Sequence, residues 1–198
     1  MTSLVSQIMP SATNMLRLDH THVMSTFHQF KVDAPTRVKK GLVNTICTSL
    51  EIHAQLEEEI FYPAVREICG ERIQQSLHEH DEMKRLIKLL RQMEPEAIDY
   101  DETVMALMRD VIHHVADEET IVFPAAEQKM REQLGELGTQ LTKRRLQLVA
   151  PRTGEIALDM GRAVSGNTAA LAFAAAAALS VLAIGRARAR SKSAHPHW

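Results

Sequence analysis

Two stretches of this 198-residue chain follow one irregular pattern: HAQLEEEIFYP from His53 to Pro63 and HVADEETIVFP from His114 to Pro124. Each opens with a histidine, has glutamates four and five residues later, an isoleucine at plus seven and a proline at plus ten. On a helix, residues four apart share a face about one turn apart, so His53 can point with Glu57, and His114 with Glu118. A carboxylate turned into an interior is costly unless it is paired, protonated or bound to metal. The repeat therefore asks for two helices that bring their polar faces to one shared place.

The flanking chain shows what those helices are. Strand signals are almost absent, and helical patterns dominate. The first helix is expected from about Ser11 to Val32, stopping ahead of Pro35. The second runs from near Thr36 to about Ile68, with Gly70 as its C-terminal stop. The third covers about Glu71 to Met93. The fourth starts near Asp101 and continues past Gln128, and REQLGELGTQLTKRRLQL is its candidate extension despite two glycines. Long helices joined by short loops imply an all-α, antiparallel up-down four-helix bundle, here assigned to residues 1–150. Residues 151–167, with Pro151, are expected to be a linker, 168–185 an Ala-rich helix and 186–198 a basic tail.

Two further histidines join the repeat. His20 follows Asp19 and precedes His53 by 33 residues; His80 follows Glu79 and precedes His114 by 34. The chain thus reads twice as an acid-His helix, a loop and a His-x3-Glu helix. His80 and His114 lie at similar distances from the loop between them, which places them at similar height in an antiparallel pair. Four imidazoles and two carboxylates would then enter one layer of the bundle, and cations make sense of such a layer. The two cysteines, Cys47 and Cys69, form no CxxC motif, which argues against a thiolate zinc site. Six nitrogen and oxygen donors exceed one tetrahedral zinc and suit iron, manganese or zinc. Two glutamates on facing helices can bridge two ions, so a dinuclear site is expected, with iron favoured.

The residues Asp19-His20, HAQLEEEIFYP, EHDEMKRLIKLL and HVADEETIVFP, in this order over about residues 14 to 130, resemble the hemerythrin HHE cation-binding domain. The resemblance implies a bundle holding two iron ions in an oxo- or hydroxo-bridged non-haem centre that binds O2 or related small molecules. By position it implies the ligands His20, His53, Glu57, His80, His114 and Glu118. The chain departs from reversible oxygen carriers in one respect: their additional histidine, one turn before the third-helix ligand, is Ser76 here. The carriers also use an acid at plus five from the last histidine; both Glu118 and Glu119 are available, and Glu118 is preferred because it mirrors Glu57. The missing ligand favours sensing, redox chemistry or iron handling over carriage. The functional expectation is binding or sensing of O2 or NO, leaning away from an enzyme. The alternatives are redox turnover of H2O2 or NO, and iron storage or donation.

Neighbouring residues are expected in ordinary roles. His22, His78 and His113 are turned away from the ligand face, and His28 is at most a polar neighbour. Asp19 and Glu79 are expected to be solvated, or to orient an imidazole. Glu58 and Glu119 read as surface charges. Ile60, Phe61, Tyr62, Val122 and Phe123 read as core, with Tyr62 able to donate to a bound oxygen species. The 23 Lys and Arg balance 25 Asp and Glu, which argues against nucleic-acid binding by bulk charge. The N-terminus lacks the pattern of a signal peptide, consistent with a cytoplasmic domain. Thr168 to Ile184 is uncharged for 17 residues, a helix of roughly 25 Å against a hydrocarbon core of about 30 Å. With the basic GRARARSK after it, this stretch is expected to anchor the chain at a membrane, the competing expectation being a packing helix. His195 and His197 follow it in the tail.

Overall fold

A computed structural model describes residues 10–164. Among them there is no strand. The helices are α1 (Ala12–Gln29), α2 (Thr36–Leu56), α3 (Tyr62–Gln92), α4 (Tyr100–Asp117), α5 (Phe123–Lys129), α6 (Leu134–Val149) and α7 (Thr153–Ala163). Five-residue π-helical turns at Glu57–Phe61 and Glu118–Val122 lead into α3 and α5, and a 3-10 turn at Ala150–Arg152 precedes α7. The bundle expected from the sequence is formed by α1, α2, the later part of α3, and α4 continued by α5.

The chain reverses inside α3, at Cys69, where φ is −132° and ψ is 33°. Glu58 and His80, on either side of it, meet at 2.8 Å. Cys69, rather than Gly70, therefore ends the second bundle helix. Met130, 61 residues later, has nearly the same conformation (φ −138°, ψ 33°) and ends α5. The expected extension of the fourth helix is thus a separate helix, α6. The repeat seen in the sequence extends through both helix breaks.

The π turns have a local cause. Pro63 and Pro124 lack an N–H, and their rings would clash with the carbonyl four residues back in a regular helix. Widening by one residue avoids this: the Tyr62 N–H bonds to Glu57 O and the Phe123 N–H to Glu118 O, five residues back instead of four.

Two apolar clusters flank the polar residues. One gathers Leu16, Leu56, Phe61, Phe123 and Ala126, and the other Val23, Phe27, Ile46, Leu86, Leu107 and Val111. His20 lies between Leu16 and Val23 in sequence, so the polar layer sits between two greasy ones. Leu134, Leu137 and Leu141 of α6 complete the first cluster.

Residues 153–163, expected as linker, instead form α7 and pack along α2. Gly41 allows this: a Cβ there would sit 2.5 Å from Ala163 N and 2.7 Å from Asp159 O. Buried Asp159 accepts from Asn44 Nδ2 at 3.0 Å, and Arg37 Nη1 donates to the Gly161 and Arg162 carbonyls at the helix end. The contact joins Gly41 to residues 118 to 122 positions later, which local pattern does not reveal. α1 ends at Gln29 rather than Val32. None of the described helices is long and apolar enough to cross a membrane. The Thr168–Ile184 stretch, His195 and His197 lie outside the described residues.

Candidate metal centre

Each bundle helix brings one histidine to the polar layer: His20 from α1, His53 from α2, His80 from α3 and His114 from α4. All four are 5% exposed or less, and Glu57 and Glu118 are fully buried. Their nitrogens meet in pairs, with His20 Nε2 3.1 Å from His53 Nε2 and His80 Nε2 3.2 Å from His114 Nε2. Glu57 Oε2 spans the pairs, 3.2 Å from His53 Nε2 and 3.4 Å from His80 Nε2. Glu118 Oε2 spans them from the other side, 3.4 Å from His20 Nε2 and 3.5 Å from His114 Nε2. The six residues singled out in the sequence are therefore brought together.

The donors fall into two groups that share a carboxylate. One is His20, His53, Glu57 and Glu118, and the other is Glu57, His80 and His114, with donor atoms within 4.8 Å of one another in each. Glu57 Oε1 and Glu118 Oε2 are buried and make no hydrogen bond. An unsatisfied buried carboxylate oxygen costs free energy that a cation would remove. On this ground the residues fit a pair of metal cations. Glu119 stands outside the cluster, with its side chain 36% exposed.

The outward-facing nitrogens are also paired, in a closed ring. His53 Nδ1 faces Asp19 Oδ2 of α1 at 3.4 Å. His80 Nδ1 donates to Glu58 at 2.8 Å, His114 Nδ1 to Glu79 at 2.9 Å, and His20 Nδ1 to Glu119 at 2.9 Å. Every helix thus carries an acid next to its own inner residue and uses it on the histidine of a neighbouring helix. Such partners fix the tautomer, direct Nε2 inward and raise ligand basicity. Asp19 and Glu79 take the orienting role. Glu58 and Glu119, expected as plain surface charges, do the same. The adjacency of each acid to an inner residue was visible in the sequence, but its target depends on how the helices are rotated.

The electrostatics of the protein groups follow. Burial works against the charged form of His53, but Glu57 and Asp19 outweigh it and hold its pKa well above the ordinary range. Burial lowers His80 too, and hydrogen bonds to Glu57 and Glu58 outweigh it, raising it to about 9. Glu57 is held well below the usual carboxylate range: burial would raise it, and His53 and His80 prevail. His80, then Lys84, hold Glu58 low.

Tyr62 belongs to this site as well. Its hydroxyl lies 2.9 Å from Glu118 Oε1, 3.2 Å from Glu57 Oε2 and 3.2 Å from His80 Nε2. It also shares a hydrogen bond with buried Ser76, where oxygen carriers would have a histidine. Burial and the two carboxylates push the Tyr62 hydroxyl well above its ordinary pKa, so it keeps its proton. Tyr62 is buried in the core as expected, and the five-residue bond of the π turn, which brings residue 62 beneath residue 57, also carries its hydroxyl into the site. Phe123 is its counterpart in the second repeat and stacks on His20 at 5.6 Å.

On the other side of the histidines lies a cavity of about 20 Å³, with Val23, Leu50, Ala54, Met83, Val111 and Val115 among its lining. A water needs roughly 10–15 Å³, so the space suits one very small molecule. His22, His28 and His78 are exposed and join no cluster among the described residues. Exposed His113 lies near Glu79 and Asp117 on the surface, outside the buried layer.

The family model of the hemerythrin HHE cation-binding domain matches residues 11–126. A DNA nickase from Nostoc sp. (strain PCC 7120 / SAG 25.82 / UTEX 2576) is 33% identical over 113 residues, covering 57% of this chain and 32% of that protein. The chain thus spans about a third of that relative's length. The crystal structure of a hemerythrin HHE cation-binding domain-containing protein from Mycobacterium kansasii superposes with a TM-score of 0.65 at 21% identity, over 84% of this chain and 99% of that one. That likeness bears on the fold.

Proposed function

The chain belongs to the hemerythrin HHE cation-binding domain family, and from that premise we propose that it holds two iron ions and uses them to bind or sense a small diatomic molecule, O2 or NO. His20, His53, His80 and His114 would supply imidazole nitrogens and Glu57 and Glu118 carboxylate oxygens to hold the ions. The carrying observation is the pair of donor groups joined through Glu57, with buried carboxylate oxygens that lack hydrogen bonds. Iron, when bound, supplies the exchange of electrons with a small oxidant. The protein's own residues do the rest. The cavity beside the histidines, lined by Val23, Leu50, Ala54, Met83, Val111 and Val115 together with Asp19, has room for one very small molecule. The ring of carboxylates holds the imidazoles in one orientation. Tyr62 holds a proton at its hydroxyl, within reach of the two glutamates.

The Tyr62 hydroxyl also supports a second reading, redox turnover of H2O2, because a hydrogen-bond donor held inside the buried layer could orient a peroxide oxygen there. Anaerobic loading with ferrous iron, followed by iron counting and optical spectra with O2, NO and H2O2, separates the readings. The diatomic reading expects about two irons per chain and spectra that revert when the gas is removed. Under half an iron per chain would overturn both. Steady H2O2 consumption that is lost in Glu57→Ala would favour the enzyme.

A further inference from the structure

The four carboxylate–imidazole contacts are not equal. Three span 2.8 to 2.9 Å, while Asp19 Oδ2 stands 3.4 Å from His53 Nδ1. The exception is the acid gripped by α6. Arg145 Nη1 donates to Asp19 Oδ1 at 2.6 Å, and Arg145 Nη2 donates to Asp19 Oδ2, the same oxygen that faces His53. A second cation does not by itself lengthen such a contact: Lys84 Nζ binds both oxygens of Glu58 at 2.6 and 2.8 Å, and His80 still reaches Glu58 at 2.8 Å. The difference lies in shape. An ammonium is a point charge, whereas a guanidinium is a planar fork that sets the orientation of the carboxylate it binds.

Arg145 also binds end-on, which leaves its Nε buried and without a hydrogen-bond partner. Its neighbour Arg144 ties the same helix to Glu59 side-on, through Nε at 2.6 Å and Nη2 at 2.9 Å. Anchoring α6 therefore does not require an arrangement that leaves a guanidinium nitrogen unsatisfied, as at Arg145. Its guanidinium grips one carboxylate through both terminal nitrogens, and that carboxylate is the one facing a histidine of the centre. α6 begins at Leu134, beyond the residues 11–126 that match the family model.

We propose that Arg145 is a positioning residue that makes the two metal positions unequal, by holding Asp19 away from His53 and so weakening the donor strength of the His20–His53 side. The proposal rests on the reading of the buried cluster as a metal centre. A histidine whose Nδ1–H is less strongly accepted is a poorer ligand, and loss of such partners typically changes metal affinity about 10–100-fold. The iron on the His20–His53 side is then the more readily released, and the position of α6 is coupled to it.

The full-length chain carrying Arg145→Met, Arg145→Lys or Arg144→Met tests this. With iron-loaded protein and a chelator in excess, the wild type releases iron in two phases. Arg145→Met frees Asp19 to close on His53 and slows the faster phase by roughly 10-fold or more, Arg145→Lys gives an intermediate rate, and Arg144→Met leaves both phases unchanged. In metal-free protein, the His53 Nδ1 proton moves downfield in Arg145→Met by nuclear magnetic resonance, and Asp19→Asn removes the difference between Arg145 and its variant. Unchanged or faster release in Arg145→Met, the same change in Arg144→Met, or an unmoved His53 resonance would overturn the proposal. A wild type that takes up no iron overturns the metal reading, and the resonance of metal-free His53 still decides the role of Arg145.

Discussion

The hydroxyl of Tyr62 donates to Glu118 across 56 residues of sequence, at 2.9 Å, in a layer where both side chains are buried. A residue buried in the core thus also donates a hydrogen bond to one of the two inner carboxylates. A hydrogen bond to a charged group contributes about 1.5–3 kcal/mol, and leaving its acceptor unmade carries the larger penalty. Tyr62→Phe should therefore destabilise the metal-free protein by about 2 kcal/mol, read from denaturant unfolding. A change within about 0.5 kcal/mol, the usual range for an inconsequential substitution, would count against the role.

Glu118 and Glu119 should separate cleanly. Glu118→Gln removes a charge that spans both histidine pairs, so one or both metals are lost, measured as iron per chain after anaerobic loading. Glu119→Gln touches only His20 Nδ1 and should keep the stoichiometry while weakening affinity by about 10–100-fold. The reverse ranking would assign the ligand to Glu119.

Metal-free protein should show a stability profile set by the histidines. His80 is raised to about 9 and His53 well above its ordinary value near 6.5. A raised histidine contributes stability that is fully present below about 6.5 and is lost as pH climbs through its folded value. Glu57 is lowered, so its contribution is present above its ordinary value near 4.5 and is lost as pH falls through the depressed one. Thermal unfolding should therefore peak between about pH 4.5 and 6.5 and decline toward about pH 9. Metals require neutral imidazoles, so binding below about pH 9 releases protons and tightens as pH rises. Calorimetric titration in buffers of different ionisation heat reads the released protons, and a flat profile would refute the coupling.

α7 should be sensitive to a single methyl group. In Gly41→Ala the new Cβ meets backbone at 2.5 to 2.8 Å, which cannot be relieved by rotating a side chain. The overpacking should cost about 1–3 kcal/mol and expose α7 to limited proteolysis. Gly70→Ala is the matched control, because nothing lies within 4 Å of its Cβ, and it should be neutral or slightly stabilising. Equal effects at the two glycines would show that α7 does not depend on close approach to α2.

The sequence by itself determined the helical class, the order of the four bundle helices and the six residues that meet in the polar layer. These are legible because each rests on a local spacing: the four-residue turn that joins His53 to Glu57 and His114 to Glu118, and its recurrence 61 residues later. Only the tertiary structure decided which acid serves which histidine. Asp19 is next to His20 in the chain, yet it serves His53, because the rotation of α1 about its axis turns it toward α2 and α6. The π turn ahead of Pro63 carries the core residue Tyr62 to the two glutamates as well, and α7 packs on α2 at a glycine 118 residues before Asp159. Helix rotation, a shifted hydrogen-bond register and long-range packing are properties of several segments at once, so no single stretch of sequence encodes them.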